Sequence, residues 1–288
     1  MKSSYKNVLP STQLLLGVGL GVVLLFILGS CFDYNISQSL YHEENSFGRF
    51  FAAFGEYPAL LGLTAAGTML FSSCSRQQGL RLMAQRALGL WLILSGSAIA
   101  CLSPMMYLSL SFPFALLIAI SCSLLVVLLI RQVCQKANHQ LVFQAAIILI
   151  IVIFSELILI NLIKIPWGRA RMRLVVHNPY AYFMPWWQIG DSLKIKLMAT
   201  GVAAEEFKSF PSGHTANASV LMLLCLLPLL KPELTKYRTQ LFLGGVLFAV
   251  LVGGSRIIMG AHYLTDTVVG FTLTLLVILA VCHKVLKE

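Results

Sequence analysis

Eight stretches of the chain are almost wholly apolar, and each is long enough to cross about 30 Å of hydrocarbon. They cover 14–32, 58–74, 87–108, 113–130, 141–163, 213–230, 241–258 and 267–282. Eight crossings bring both termini to one side. The polar connections alternate in character, and two on the side opposite the termini are long. The first, 33–57, carries Phe47, Phe50, Phe51 and Phe54, which fit either a helix lying at the membrane interface or a loop with aromatic anchors. The second, 164–210, is basic and rich in Trp and Tyr. No internal repeat or low-complexity linker divides the chain, so 1–288 reads as a single polytopic domain. The polar stretch 1–13, with Lys2 and Lys6, leads into the first run without a small-residue cleavage pattern, which predicts an uncleaved first span.

Composition sharpens this to an all-α integral membrane protein. Residues are 58% hydrophobic and 11% charged, where a soluble domain carries about 25% charged. The net charge of +10 does not call for nucleic acid, because no basic stretch interleaved with aromatics sits on a soluble domain. The Lys and Arg residues lie between apolar runs, where they meet anionic headgroups. Twelve of the 21 fall on the side of the termini. Of the other nine, only Arg49 lies outside 164–208 and Arg256, so elsewhere the count is 12 to 1. The positive-inside rule then predicts cytoplasmic termini and an outward-facing 164–210. The seven cysteines form no C-x-x-C pair, which suggests neither a disulfide framework nor a zinc site.

Three polar clusters carry candidate chemistry. Ser255-Arg256-x5-His262-x3-Asp266 puts a histidine and an aspartate four apart, a spacing that shares one face of a helix. A carboxylate there can hold one ring nitrogen and leave the other free to attack or take a proton. Arg256 offers a planar fork suited to phosphate oxygens. The same letters also fit a buried ion pair at a helix end. In Pro211-Ser212-Gly213-His214, Ser212 can cap the sixth run and its first-turn N–H groups can hold an anion. Gly213 permits close approach, and His214 stands at the rim. A plain serine cap beside a bystander histidine is the alternative. Lys164-x6-Arg171, with Arg169 and Arg173 nearby, crowds four cations into ten residues. That crowding suits an anion, though snorkelling anchors would look alike. All three clusters map to one side of the membrane.

Together they resemble the PAP2 (phosphatidic acid phosphatase type 2) superfamily, over roughly the C-terminal half, with all motifs within 141–283. The second and third motifs are complete. The first has Met172 where proline is usual, which removes a fixed φ rather than a phosphate ligand. The resemblance implies a PAP2-type helical bundle, a six-helix core plus one extra hairpin, placed here at 87–130. It implies His262 as nucleophile, forming a phosphohistidine, and Asp266 as the residue fixing its tautomer. His214 would be the general acid, while Lys164, Arg171, Ser212, Gly213 and Arg256 would cradle the phosphoryl oxygens. No metal and no cofactor is implied. Arg169, Arg173 and Lys208 are candidates for headgroup contacts or ordinary surface charge.

The expected partners are a lipid phosphate substrate and membrane lipids, in a bacterial plasma (inner) membrane with the site facing outside. A metal-independent lipid phosphate or diphosphate phosphatase heads the readings, with undecaprenyl diphosphate as the favoured substrate by analogy. A lipid phosphotransferase using the same intermediate, or a non-catalytic lipid-binding or transport protein, are the alternatives. Oligomeric state is left open. Glu156, deep in the fifth run with Asn161 nearby, is expected as a neutral, hydrogen-bonded acid inside the bundle rather than a site. Trp167, Tyr180, Tyr182, Trp186 and Trp187 fit an interfacial belt or a lipid-entry groove. His42, His139, His177 and His283 have no partner spacing.

Overall fold

A computed structural model describes residues 9–73 and 79–287. Among them every regular element is helical. From the N-terminus come α1 (Thr12–Leu40), α2 (Ser46–Phe54), α3 (Tyr57–Ser72), α4 (Leu80–Ala100), α5 (Leu102–Leu108), α6 (Phe112–Cys134) and α7 (His139–Trp167). Two short helices follow outside the bundle, α8 (Met172–His177) and α9 (Asp191–Met198). The chain re-enters at α10 (Gly213–Ser219), runs through a 3₁₀ stretch to α11 (Leu227–Leu230), and ends with α12 (Arg238–Ile258) and α13 (Leu264–Lys287). Seven helical segments are long and apolar enough to cross a membrane, so the protein is an all-α integral membrane protein. The N-terminal residues 1–8, on which part of the uncleaved-span expectation rests, lie outside the described part.

The expected run 58–74 is α3, which has 16 residues and so spans about 24 Å. Its path still matches a crossing. The residue before it, Glu56, meets Asn217 beside the start of α10, at 3.4 Å. At its other end the Ser72 carbonyl lies 3.1 Å from His139 Nδ1, at the start of α7. Gln144 donates to the Val285 carbonyl at 3.4 Å, which puts the end of α13 there too. The end of α13 therefore lies at the end of the bundle opposite Glu56. Being short, α3 is shielded by neighbours, and nearly all its side chains from Ala59 to Leu70 are buried. It packs on α4 through glycine. A Cβ on Gly67 would collide with the Gly89 carbonyl, and one on Gly96 with that of Leu60. Small residues let helix backbones approach where lipid supplies no hydrophobic drive.

The expected run 87–108 breaks after Ala100. Pro104 explains the break: its ring would clash with the carbonyl four residues back, that of Ala100. The interruption is a single residue, Cys101, which keeps right-handed helical dihedrals, and α5 packs against α2. The phenylalanine-rich segment is the helix α2, capped by the Asn45 side chain accepting from Gly48 N at 3.0 Å, with Phe47 and Phe50 exposed.

The connection 168–212 is more than a loop. Ala170, Leu174, Met184, Leu193, Leu197 and Phe207 form a small core of its own. Gly168 ends α7 in the left-handed region (φ 66°), as a helix C-terminus favours. Trp167 Nε1 donates to the Trp186 carbonyl at 2.7 Å, and Trp186 Nε1 donates to Ser30 Oγ at 2.9 Å. Trp167 and Trp186 thus join the cap to α7 and α1, whereas Tyr180, Tyr182 and Trp187 are exposed. Glu156 is buried as expected, but Oε1 has no hydrogen-bond partner. Asn161 instead bonds its own helix at Leu157.

Candidate active site

The last turn of α12 contributes Ser255 and Arg256. The chain then turns at Gly260 (φ 62°) and α13 starts at Leu264. His262 and Asp266 are therefore not on one helix as the spacing suggested. His262 sits in the turn and Asp266 in the first turn of α13. The pair still closes, with His262 Nδ1 3.7 Å from Asp266 Oδ2. That is an ion-pair distance, too long for a hydrogen bond. The direct partner of Nδ1 is the Ser209 carbonyl, at 2.5 Å. A backbone carbonyl thus meets Nδ1 directly, and the Asp266 carboxylate expected there stands just behind it. With the proton on Nδ1, the Nε2 lone pair is free. Burial, helped by the nearby Arg171 and Lys164 and opposed by Asp266, pushes the His262 imidazole down to about 3. The ring is neutral at physiological pH.

Asp266 is itself held from three directions. Ser209 Oγ donates to Oδ2 at 2.5 Å, Tyr263 N donates to Oδ2 at 2.8 Å, and Arg169 Nη1 donates to Oδ1 at 2.5 Å. Arg169 is fully buried rather than reaching for headgroups, which corrects that expectation. Its Nη2 pairs with Asp33 Oδ2 at 2.9 Å, its Nε donates to the Met184 carbonyl at 2.8 Å, and Nη1 also reaches Thr265 Oγ1 at 2.9 Å. The guanidinium carbon lies 4.2 Å from the Tyr263 ring centroid. Asp33, on α1, further accepts from Thr265 N at 3.0 Å and from Thr265 Oγ1. Sequence reasoning missed Asp33. An acid ending an apolar run was the available signal. Arg173 and Lys208 are paired as well, with Glu206 and Glu205, both at 2.5 Å.

The cap returns through Ser209 into α10. Ser212 is its N-cap, with Oγ accepting from Thr215 N at 3.3 Å and from Thr215 Oγ1 at 3.0 Å. Ser212 N donates to the Asp266 carbonyl at 2.9 Å, which locks the second motif onto the third. The N–H groups of Gly213 and His214 follow, at a helix start where intrahelical acceptors are missing. Lys164 Nζ approaches the position a Cβ on Gly213 would occupy to 3.4 Å, so a side chain there would crowd the ammonium. His214 Nε2 has no partner.

Arg256 is 1% exposed, yet among the described residues its Nε has no partner, and its Nη2 meets Tyr107 Oη at 3.3 Å. Arg171 is held by the Glu205 carbonyl, which accepts from Nε at 2.9 Å. Lys164, Arg171 and Arg256 stand close enough to His214 to act on it electrostatically, and His262 does too. Every residue expected in the site is thus brought together, from six segments, at one end of the bundle. Tyr107, on α5, is an addition that no motif signalled. Among the described residues no group of three or more His, Cys, Asp or Glu could hold a metal ion.

Two histidines thus stand with three cations and the helix-start N–H groups at one end of the bundle, a set of groups suited to an anion. The PAP2 superfamily model matches residues 144–288, and the chain belongs to that superfamily. Phosphatidylglycerophosphatase B of Bacillus subtilis (strain 168) is 41% identical over 70 residues, which cover 24% of this chain and 34% of that protein. The similarity thus spans about a third of that relative's length. No solved structure matches the chain.

Proposed function

We propose that the protein is a membrane lipid phosphatase working through a phosphohistidine on His262. Nε2 of His262 attacks phosphorus, and the bond to the leaving oxygen breaks as His214 gives that oxygen a proton. Water, relieved of a proton by His214, then displaces the phosphoryl group from Nε2. Lys164, Arg171 and Arg256, with the N–H groups beside Ser212 and Gly213, hold the three phosphoryl oxygens as charge spreads over them. Asp266 stabilises the positive charge that develops on His262. No step needs a metal.

One observation carries this reading: a buried neutral histidine with its Nε2 lone pair free stands among three cations and a second histidine. Anion binding alone would need only the cations. The substrate is proposed as a lipid monophosphate or diphosphate, because all these groups lie where bundle helices end, at headgroup depth. Undecaprenyl diphosphate is one candidate. The name of the Bacillus relative adds phosphatidylglycerophosphate. The 12 to 1 distribution of basic residues supports an outer-leaflet site with cytoplasmic termini.

Protein reconstituted in liposomes is expected to release phosphate from lipid phosphates in EDTA, and His262→Ala to abolish release. Full activity of His262→Ala would overturn the mechanism. A panel of lipid phosphates compared by kcat/KM ranks the substrates.

A further inference from the structure

We infer that Glu56 is the positioning residue for His214, orienting its ring and stabilising it in the protonated form, so that the N-terminal half of the chain completes the site. The inference rests on the phosphatase reading. It starts from a difficulty in that reading. A general acid must carry its proton when substrate arrives, yet His214 shares its pocket with Lys164, Arg171, Arg256 and His262. Three of those are cations. A nearby anion is needed to offset them.

Glu56 supplies it. Its Oε1 lies 3.6 Å from His214 Nδ1, a distance that tightens readily to a hydrogen bond once substrate is bound. The carboxylate is fixed for the purpose. Ser103 Oγ donates to Oε2 at 3.0 Å, and Asn217 Nδ2, one turn beyond His214 on α10, donates to Oε1 at 3.4 Å. With Nδ1 turned toward Glu56, Nε2 is left without a protein partner, as the donor to a leaving oxygen must be. The Tyr107 ring stands edge-on to the imidazole, centroids 5.7 Å apart at 84°, and restricts its rotation. Tyr107 is in turn fixed by Arg49, whose Nε donates to its carbonyl at 2.8 Å. Glu56, Ser103 and Tyr107 all lie outside the segment that matches the superfamily. The titratable groups facing His214 are these two, Glu56 and Tyr107, and the four named above.

The test compares two substrates on one preparation of the full-length protein: octyl phosphate, whose alkoxide must be protonated to leave, and 4-nitrophenyl phosphate, whose phenolate leaves unaided. The quantity is kcat/KM, which covers only the steps through formation of the phosphohistidine. Because the ratio of the two substrates is independent of the folded fraction, partial misfolding of a variant does not distort it. Glu56→Gln is expected to lower kcat/KM for octyl phosphate by about 10- to 100-fold, within the range general acids contribute. For 4-nitrophenyl phosphate it should change less than about threefold. The alkaline limb for octyl phosphate should move about one pH unit to lower pH, as loss of a neighbouring anion requires. Equal losses on both substrates, or an unmoved limb, would overturn the inference while leaving the phosphatase reading intact. A wild-type protein that hydrolyses neither substrate nor any lipid phosphate would overturn both.

Discussion

Arg169→Met is expected to cost far more stability than its position in a basic connection between helices suggests. The substitution removes a guanidinium that binds Asp33, Asp266, Thr265 and the Met184 carbonyl at 2.5–2.9 Å, with side-chain exposure of 0% for Arg169, 2% for Asp33 and 0% for Asp266. Two buried carboxylates lose their shared counter-charge. Removing one partner of a buried ion pair costs about 3–5 kcal/mol, which for a chain of this size lowers a thermal midpoint by on the order of 10 °C. Arg173→Met is the internal control. Its pair with Glu206 is 26% and 21% exposed, and such pairs contribute about 0–1 kcal/mol. Both variants would be melted in the same detergent, followed by tryptophan fluorescence. Adding Asp33→Asn to Arg169→Met should recover part of the loss, because it neutralises one stranded charge. The coupling should be about 0.5–3 kcal/mol. If Arg169→Met melted within about 2 °C of Arg173→Met, or if Asp33→Asn deepened its loss, the ion triad would not be holding the site together.

The low value for His262 gives a kinetic expectation with a definite sign. A depressed imidazole stays neutral as pH falls, so kcat/KM should show no acid limb from the nucleophile above about pH 4. A limb near pH 6.5 that His214 variants leave in place would refute that assignment. Gly213→Ala puts a methyl group 3.4 Å from Lys164 Nζ. Inhibition by vanadate should weaken about tenfold, or about 1.4 kcal/mol, with the thermal midpoint little changed. An unchanged inhibition constant would separate Lys164 from the anion.

The bundle and three of its polar clusters were legible because their signals are local. An apolar run long enough to cross hydrocarbon announces itself, and each motif lies within twelve residues. The break after Ala100 was also written in the chain, by Pro104, but a window that scores apolarity passes over one proline. Arg169 was visible but misassigned. Its partners Asp33 and Asp266 lie 136 and 97 residues away, and nothing on α1 marks Asp33 as facing inward. The Ser209 carbonyl that meets His262 Nδ1 was illegible for another reason: it belongs to the main chain, and carbonyls leave no letter in a sequence. Glu56 and Tyr107 escaped notice because the first lies in a connection that reads as an interfacial helix or loop, and the second inside an apolar run that reads as a plain crossing.

The Asp33–Arg169–Asp266 link also determines how the chain can be divided. The half that carries the superfamily match, 144–288, contains every motif and reads as a transplantable unit. It is not one. Expressed by itself it would enclose Arg169 and Asp266 without Asp33, and would leave Thr265 N and one arm of the guanidinium without an acceptor. A cut between α6 and α7 would give two pieces, each holding part of one electrostatic clasp. Co-expressed, they would have to reassemble around that clasp before either was useful. The first helix, though its membrane-facing stretch is almost entirely bare, is the key that closes it.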